Sequence, residues 1–112
     1  MEVRERMCSV TVGARGIHVR VALAIFKAVG GQKPENEGFD PLLTVKIKHT
    51  STGLIADAKS VLDLLSIGAS PGDTVEVVVR HPDGFVATAV MKTLTDIITT
   101  HDLVESESLV CS

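Results

Sequence analysis

Apolar and polar residues alternate along several stretches of the chain, as expected for strands with one face in a core. The alternation is clear over Leu43–Thr50 and Thr74–Arg80 and weaker over Arg6–Val12, and it predicts three half-buried strands. Leu54–Asp57 follows the turn residues 51–53, so we expect it to return beside Leu43–Thr50 as a hairpin.

Three other stretches have the period of an amphipathic helix. Residues 19–29 place Ala22, Ile25, Phe26 and Val29 on one face, and Gly30-Gly31 follows as a stop. Residues 60–67 predict a short helix, and residues 86–98 a longer one. The predicted order is β-α-β-β-α-β-α, which indicates an α+β fold with an antiparallel or mixed sheet and helices on one face.

A chain of 112 residues is long enough for one domain with one core. We assign the domain to residues 1–100 and expect residues 101–112 to form a frayed C-terminal tail. The polar stretch 32–41 contains two prolines and predicts a long surface loop.

Composition excludes several classes of function. The net charge of −3 and the scarcity of aromatic residues, with three Phe and no Trp or Tyr, argue against nucleic-acid binding. No apolar run approaches the roughly 18 residues that a membrane span needs, and the N-terminus does not resemble a signal peptide. We therefore expect a cytoplasmic protein without membrane insertion, with Cys8 and Cys111 as reduced thiols.

The candidate chemistry lies in Gly16-Ile17-His18-Val19-Arg20-Val21-Ala22, where a glycine, a titratable ring and a fixed cation precede a helix. Free amides and the positive end of the helix dipole favour an anion at such a position. A solvated loop-to-helix junction is the simpler interpretation of the same residues. The other histidines, His49, His81 and His101, are expected to face solvent and form no metal-ligand cluster.

This motif, the order of elements, Ala58-Lys59-Ser60 before the second helix and Gly72-Asp73-Thr74-Val75 before the last strand together resemble the HPr family. Its members are histidine-containing phosphocarriers of the bacterial phosphoenolpyruvate-dependent sugar phosphotransferase system. The resemblance extends from about Val3 to about Ile98. It implies an open-faced β-sandwich, with a four-stranded antiparallel sheet and three helices on one face.

The resemblance also implies roles for individual residues. His18 would accept phosphate on Nδ1, the pros nitrogen, from enzyme I and pass it to sugar-specific enzyme IIA domains. Arg20 would pair with the phosphate, and the backbone amides of Val19, Arg20 and Val21 would bind it. Such a protein is a stoichiometric carrier rather than a turnover enzyme, and it needs no cofactor and no metal of its own.

Three further residues have predicted roles, Ser60 in regulation and Leu62 and Leu65 in partner docking. Ser60 is expected at a helix N-cap, and the resemblance implies that a serine kinase and phosphorylase act on it in some members. Five apolar residues in a helix of about eight cannot all face the core, so Leu62 and Leu65 are predicted to dock partners.

The chain departs from the family pattern in Val21, which replaces a proline, in the long loop 32–41 and in the tail. Two alternatives stay open. One is a regulatory binding protein controlled by phosphorylation of Ser60 without a transport role. The other is a small-molecule-binding α+β module with a similar order of elements.

Overall fold

The computed structural model describes residues 4–14, 16–31, 42–99 and 110–111. Within these residues the order is β1 Arg4–Thr11, α1 Val19–Phe26, β2 Thr44–His49, β3 Ile55–Asp57, α2 Val61–Ser66, β4 Thr74–His81, α3 Gly84–Thr99 and β5 Val110–Cys111. The predicted loop 32–41 and most of the tail lie outside the described residues.

The strands form one antiparallel sheet in the order β3-β2-β4-β1-β5. The four strands β1 to β4 and the three α-helices confirm the predicted α+β open-faced architecture. The two-residue strand β5 pairs with β1 at the edge of the sheet, so part of the tail expected to fray is hydrogen-bonded to the domain instead.

Alternation along the strands determines which face packs against the helices. Val75, Val77 and Val79 of β4 are fully buried, as are Val45 and Ile47 of β2. The helix side chains that complete the core lie on one stripe of α3 and one of α1: Ala87, Met91, Leu94, Ile98, Ala22 and Ile25. Burial of a large aliphatic side chain stabilises the fold by about 1.5–3 kcal/mol, so this interleaved layer is the main source of stability.

α1 ends at Phe26, and the wider helical turn that follows it ends at Gly31, where the glycines predict a stop. Lys27–Gly31 continues α1 as a single wider turn, and Gly30 has a φ of 110°. A side chain at that φ is strained, which explains why a glycine stands at this position.

Two histidines expected in solvent are buried, and that expectation was wrong. His49 is 5% exposed and His81 is 7% exposed. Each continues the inward-facing parity of its strand, after Ile47 in β2 and after Val79 in β4. His101 lies outside the described residues.

The expectation of reduced thiols is also contradicted at Cys8, which is buried and disulfide-bonded. Cys111, the other cysteine of the chain, is the backbone partner of Cys8 in the β1–β5 pair.

Candidate functional site

His18 is the residue at which the chain enters α1. It is the N-cap, with φ −96° and ψ −171°, and its carbonyl accepts the N–H of Ala22 over 2.8 Å. The side chain is exposed and makes no capping hydrogen bond. The imidazole ring is therefore open to a partner molecule, and its position depends on the backbone that precedes it.

That backbone is fixed by two hydrogen bonds and a close approach. Gly16 donates to the carbonyl of Gly13 over 3.0 Å, and Ile17 donates to the carbonyl of Ala69 over 3.0 Å. Gly16 has a φ of 63°, and a Cβ on it would lie 3.1 Å from the oxygen of Ala69 and 3.3 Å from Nε2 of His18. Position 16 thus favours glycine because of its positive φ and because the backbone oxygen of Ala69 lies close to where a side chain would begin.

The first turn of α1 presents unpaired donors beside the ring. Because the first helical hydrogen bond belongs to Ala22, the N–H groups of Val19, Arg20 and Val21 have no helical partner. Arg20 is exposed, and no acidic residue lies in this turn. Ala14, His18, Arg20 and Val21 line an open depression of about 260 Å³. These groups form a positively polarised surface that suits a phosphate-sized anion.

Val21, which stands in place of the family's proline, combines a free amide with a buried side chain. Its side chain is 8% exposed and belongs to the core, whereas Val19 beside it is 57% exposed.

Ser60 is the N-cap of α2, as the sequence predicts. Its Oγ accepts the N–H of Asp63 over 3.2 Å. Asp63 in turn accepts the N–H of Asp57 on Oδ2 over 3.3 Å, so two carboxylates lie near the serine.

The structure separates the two leucines predicted to dock partners. Leu62 is 78% exposed, whereas Leu65 is partly buried and packs against the core. α1 and α2 contact one another, and α1 exposes Val19 and Leu23. We call the exposed side chains of Val19, Leu23 and Leu62 the apolar surface.

One polar cluster was missed by the sequence analysis. Nε2 of His49 lies 2.9 Å from Oδ2 of Asp73, and Nδ1 lies 3.2 Å from Oγ1 of Thr52. The N–H of Ser70 donates to the same Oδ2 over 2.9 Å. The Ser70 hydrogen bond, with further help from the His49 ring and against partial desolvation, lowers the pKa of Asp73 below its ordinary value. The alternation along β2 indicates the burial of His49, because this residue lies two residues after Ile47 and four after Val45 on the inward-facing side of the strand.

Other kinds of site find no support among the described residues. No group of three or more His, Cys, Asp and Glu side chains there is placed to hold a metal ion. None of the described helices has the length and apolar character needed to cross a bilayer.

Comparison with known proteins gives a match to a family model, matches to solved structures and one negative result. The family model of the PTS HPr component phosphorylation site matches residues 8–100. A crystal structure of a phosphocarrier protein HPr from Bacillus anthracis str. Ames superposes with a TM-score of 0.62 at 15% sequence identity, covering 88% of this chain and 100% of that one. At this identity the superposition shows the fold alone. No curated protein matches the chain.

Proposed function

The chain belongs to the HPr family of the phosphotransferase system, and we propose that it is a phosphoryl carrier whose acceptor is His18. The observation that carries this proposal is the exposed imidazole at the N-terminus of α1, beside Arg20 and three free amides. In the proposed reaction, enzyme I is the donor and enzyme IIA domains are the acceptors, and all act in the cytoplasm.

Imidazole suits a carrier because a large fraction is a neutral nucleophile near neutral pH. Its Nε2 is turned toward Gly16, and this orientation supports Nδ1 as the nitrogen that takes the phosphoryl group. Nδ1 attacks the phosphorus of the donor phosphohistidine in line, a new N–P bond forms, and the donor's N–P bond breaks. The electron pair of that bond returns to the donor ring, and the next transfer repeats the exchange with an acceptor.

Charge at the site comes from Arg20 and the helix. The guanidinium is exposed and forms charge-assisted hydrogen bonds with phosphate oxygens, and the amides of Val19, Arg20 and Val21 add the positive end of the dipole. Because the depression is shallow and open, phosphate is stabilised without being enclosed, as a carrier must release it again.

The apolar surface supplies contact area for the donor and the acceptor. Val19 directly follows the acceptor histidine, and Leu62 stands on the neighbouring helix α2. Burial of one such leucine in a protein interface contributes about 1.5–3 kcal/mol. Partners docked there would meet His18 from the same side.

A test of this function uses intact-mass analysis after incubation with phosphoenolpyruvate, Mg²⁺ and enzyme I. We expect one added phosphate that is acid-labile and base-stable, as a phosphoramidate is. His18→Ala should abolish the addition, and His101→Ala, a matched change at another histidine, should leave it intact. Phosphate retained in the His18 variant would place the acceptor elsewhere.

Ser60 supports a second, regulatory function. It caps α2 beside Leu62, so a phosphate on Oγ would place about two negative charges at the N-terminus of α2 and at the edge of the apolar surface. A serine kinase and phosphorylase would then control docking. A protein that takes no phosphate from enzyme I, yet is phosphorylated on Ser60 by such a kinase, would have this regulatory role without transport.

A further inference from the structure

His49 and Asp73 join two segments that lie far apart in the chain. His49 ends β2, and Asp73 precedes β4. The histidine ring is almost wholly buried, its Nε2 lies 2.9 Å from Oδ2 of Asp73, and Thr52 contacts its other nitrogen. With both ring nitrogens engaged, the orientation of the ring is fixed, and so is the position of the carboxylate it meets.

Asp73 closes the turn formed by residues 69–73, which we call the Asp73 turn. Its Oδ2 accepts the N–H of Ser70, and its own N–H donates to the carbonyl of Ser70, both over 2.9 Å. Val12 donates to the carbonyl of Asp73 over 2.8 Å and accepts from Gly72 over 2.9 Å. The turn is therefore fixed to the end of β1 on one side and to the His49 ring on the other.

The other end of the Asp73 turn holds the residues that precede His18. The carbonyl of Ala69 accepts the N–H of Ile17 over 3.0 Å, and Pro71 lies against Gly16. A continuous series of contacts thus runs from His49 through Asp73 and Ala69 to Ile17, the neighbour of His18.

We propose that His49 and Asp73 are positioning residues for the phosphoryl acceptor His18, an inference that rests on the proposed function. The His18 side chain makes no capping hydrogen bond, so the placement of its ring depends on the backbone of Gly16 and Ile17. That backbone is held by the Asp73 turn, and the turn is held by the hydrogen bond between the buried ring of His49 and the partly exposed carboxylate of Asp73. In a transfer reaction a displacement of about 1 Å can cost about 100-fold in rate, so loss of this support acts on the chemistry.

The experiment compares His49→Leu with His49→Gln and with His81→Leu. Glutamine can place an amide donor near the position of Nε2, whereas leucine keeps bulk and removes the hydrogen bond. His81 is a matched control because it is also buried and hydrogen-bonded, through Nδ1 to the N–H of Asp83, but it lies at the opposite end of β4. Asp73→Asn serves as a second variant if His49→Leu does not fold.

Three quantities are measured on folded protein, well below each melting temperature: the rate of phosphate transfer from enzyme I, the amide exchange rate of Ile17, and the NMR signals of the His18 ring. We expect His49→Leu to slow transfer about 10- to 100-fold, to accelerate Ile17 exchange and to shift the ring signals. His49→Gln should restore transfer substantially, and His81→Leu should stay close to the unchanged protein at a similar loss of stability.

Equal effects of His49→Leu and His81→Leu, or unchanged transfer in His49→Leu, would overturn the proposal. If the unchanged protein takes no phosphate at all, the proposed function fails instead. The Ile17 exchange rate then decides the positioning role alone: acceleration specific to His49→Leu supports it, and an unchanged rate refutes it.

Discussion

The N–H of Ala22 donates to the carbonyl of His18 over 2.8 Å, and this bond marks the start of α1. It leaves the three preceding amides directed out of the helix end. The third of them belongs to Val21, at the position where the family pattern has a proline with no N–H. The chain therefore has one more backbone donor at the proposed phosphate site than the family pattern provides.

Val21→Pro tests how much the amide donor of Val21 contributes to phosphate transfer. Proline restricts the unfolded chain and stabilises by about 0.4–1 kcal/mol, so we expect the melting temperature to rise by about 2–6 °C. Loss of the Val21 amide donor weakens only the phosphorylated form, where the donor would meet the phosphate. The equilibrium constant of phosphate transfer should therefore change less than tenfold, which corresponds to about 1.4 kcal/mol. Calorimetry and equilibrium phosphorylation with enzyme I measure the two effects, and Val21→Ala controls for the buried side chain.

Arg20→Ala should harm transfer more than Val21→Pro, because it removes a full charge from the site and leaves the buried residues of α1 in place. Because the Arg20 side chain is exposed, the free energy of unfolding should change by less than about 0.5 kcal/mol in Arg20→Ala. The measurement is the rate of phosphorylation by enzyme I. A larger effect of Val21→Pro than of Arg20→Ala would contradict the site as described.

Much of this architecture could be predicted from the sequence because alternation and helical periodicity report burial directly. β2, β4 and the helical stop at Gly30-Gly31 follow from such local patterns. The burial of His49 does not follow from its place at the end of a strand beside a turn, which favours solvent exposure, although the residue is in phase with Val45 and Ile47. Its partner Asp73 lies 24 positions away, and such a contact depends on the pairing of β2 with β4, which local pattern does not specify.

Leu62 and Leu65 should respond differently to the same substitution. Leu62→Glu replaces an exposed side chain, so stability should change by less than about 0.5 kcal/mol while binding to enzyme I weakens about tenfold or more. Leu65→Glu places a charge against the core and should lower the free energy of unfolding. Leu54→Glu, in the turn between β2 and β3, is the matched exposed control. Titration calorimetry and urea unfolding separate the cases, and unchanged binding in Leu62→Glu would remove this leucine from the docking surface.

Ser60→Ala should lower stability by about 1 kcal/mol, because the N–H of Asp63 loses its cap acceptor. Ser60→Asn should retain most of that stability. Ser66→Ala, at the other end of α2, removes a hydroxyl that donates to a carbonyl and should cost less. Urea unfolding measures all three. The regulatory role of Ser60 is tested by comparing Ser60→Asp with the unchanged protein in the rate of phosphate transfer from enzyme I. Transfer at the same rate in both proteins would count against control through this serine.

Asp73→Asn tests the electrostatic side of the Asp73 turn through its pH dependence. The N–H of Ser70 and the ring of His49 lower the pKa of the folded carboxyl below the ordinary value of about 3.9. A group whose pKa is lowered on folding stabilises the protein above its unfolded pKa, and this stabilisation is lost as the pH falls through the folded pKa. The stability advantage of the unchanged protein over Asp73→Asn should therefore be present at pH 5 and shrink progressively below about pH 4. Urea unfolding at steps between these values measures it. An advantage that persists undiminished to about pH 2 would show that the carboxylate charge does not stabilise the turn.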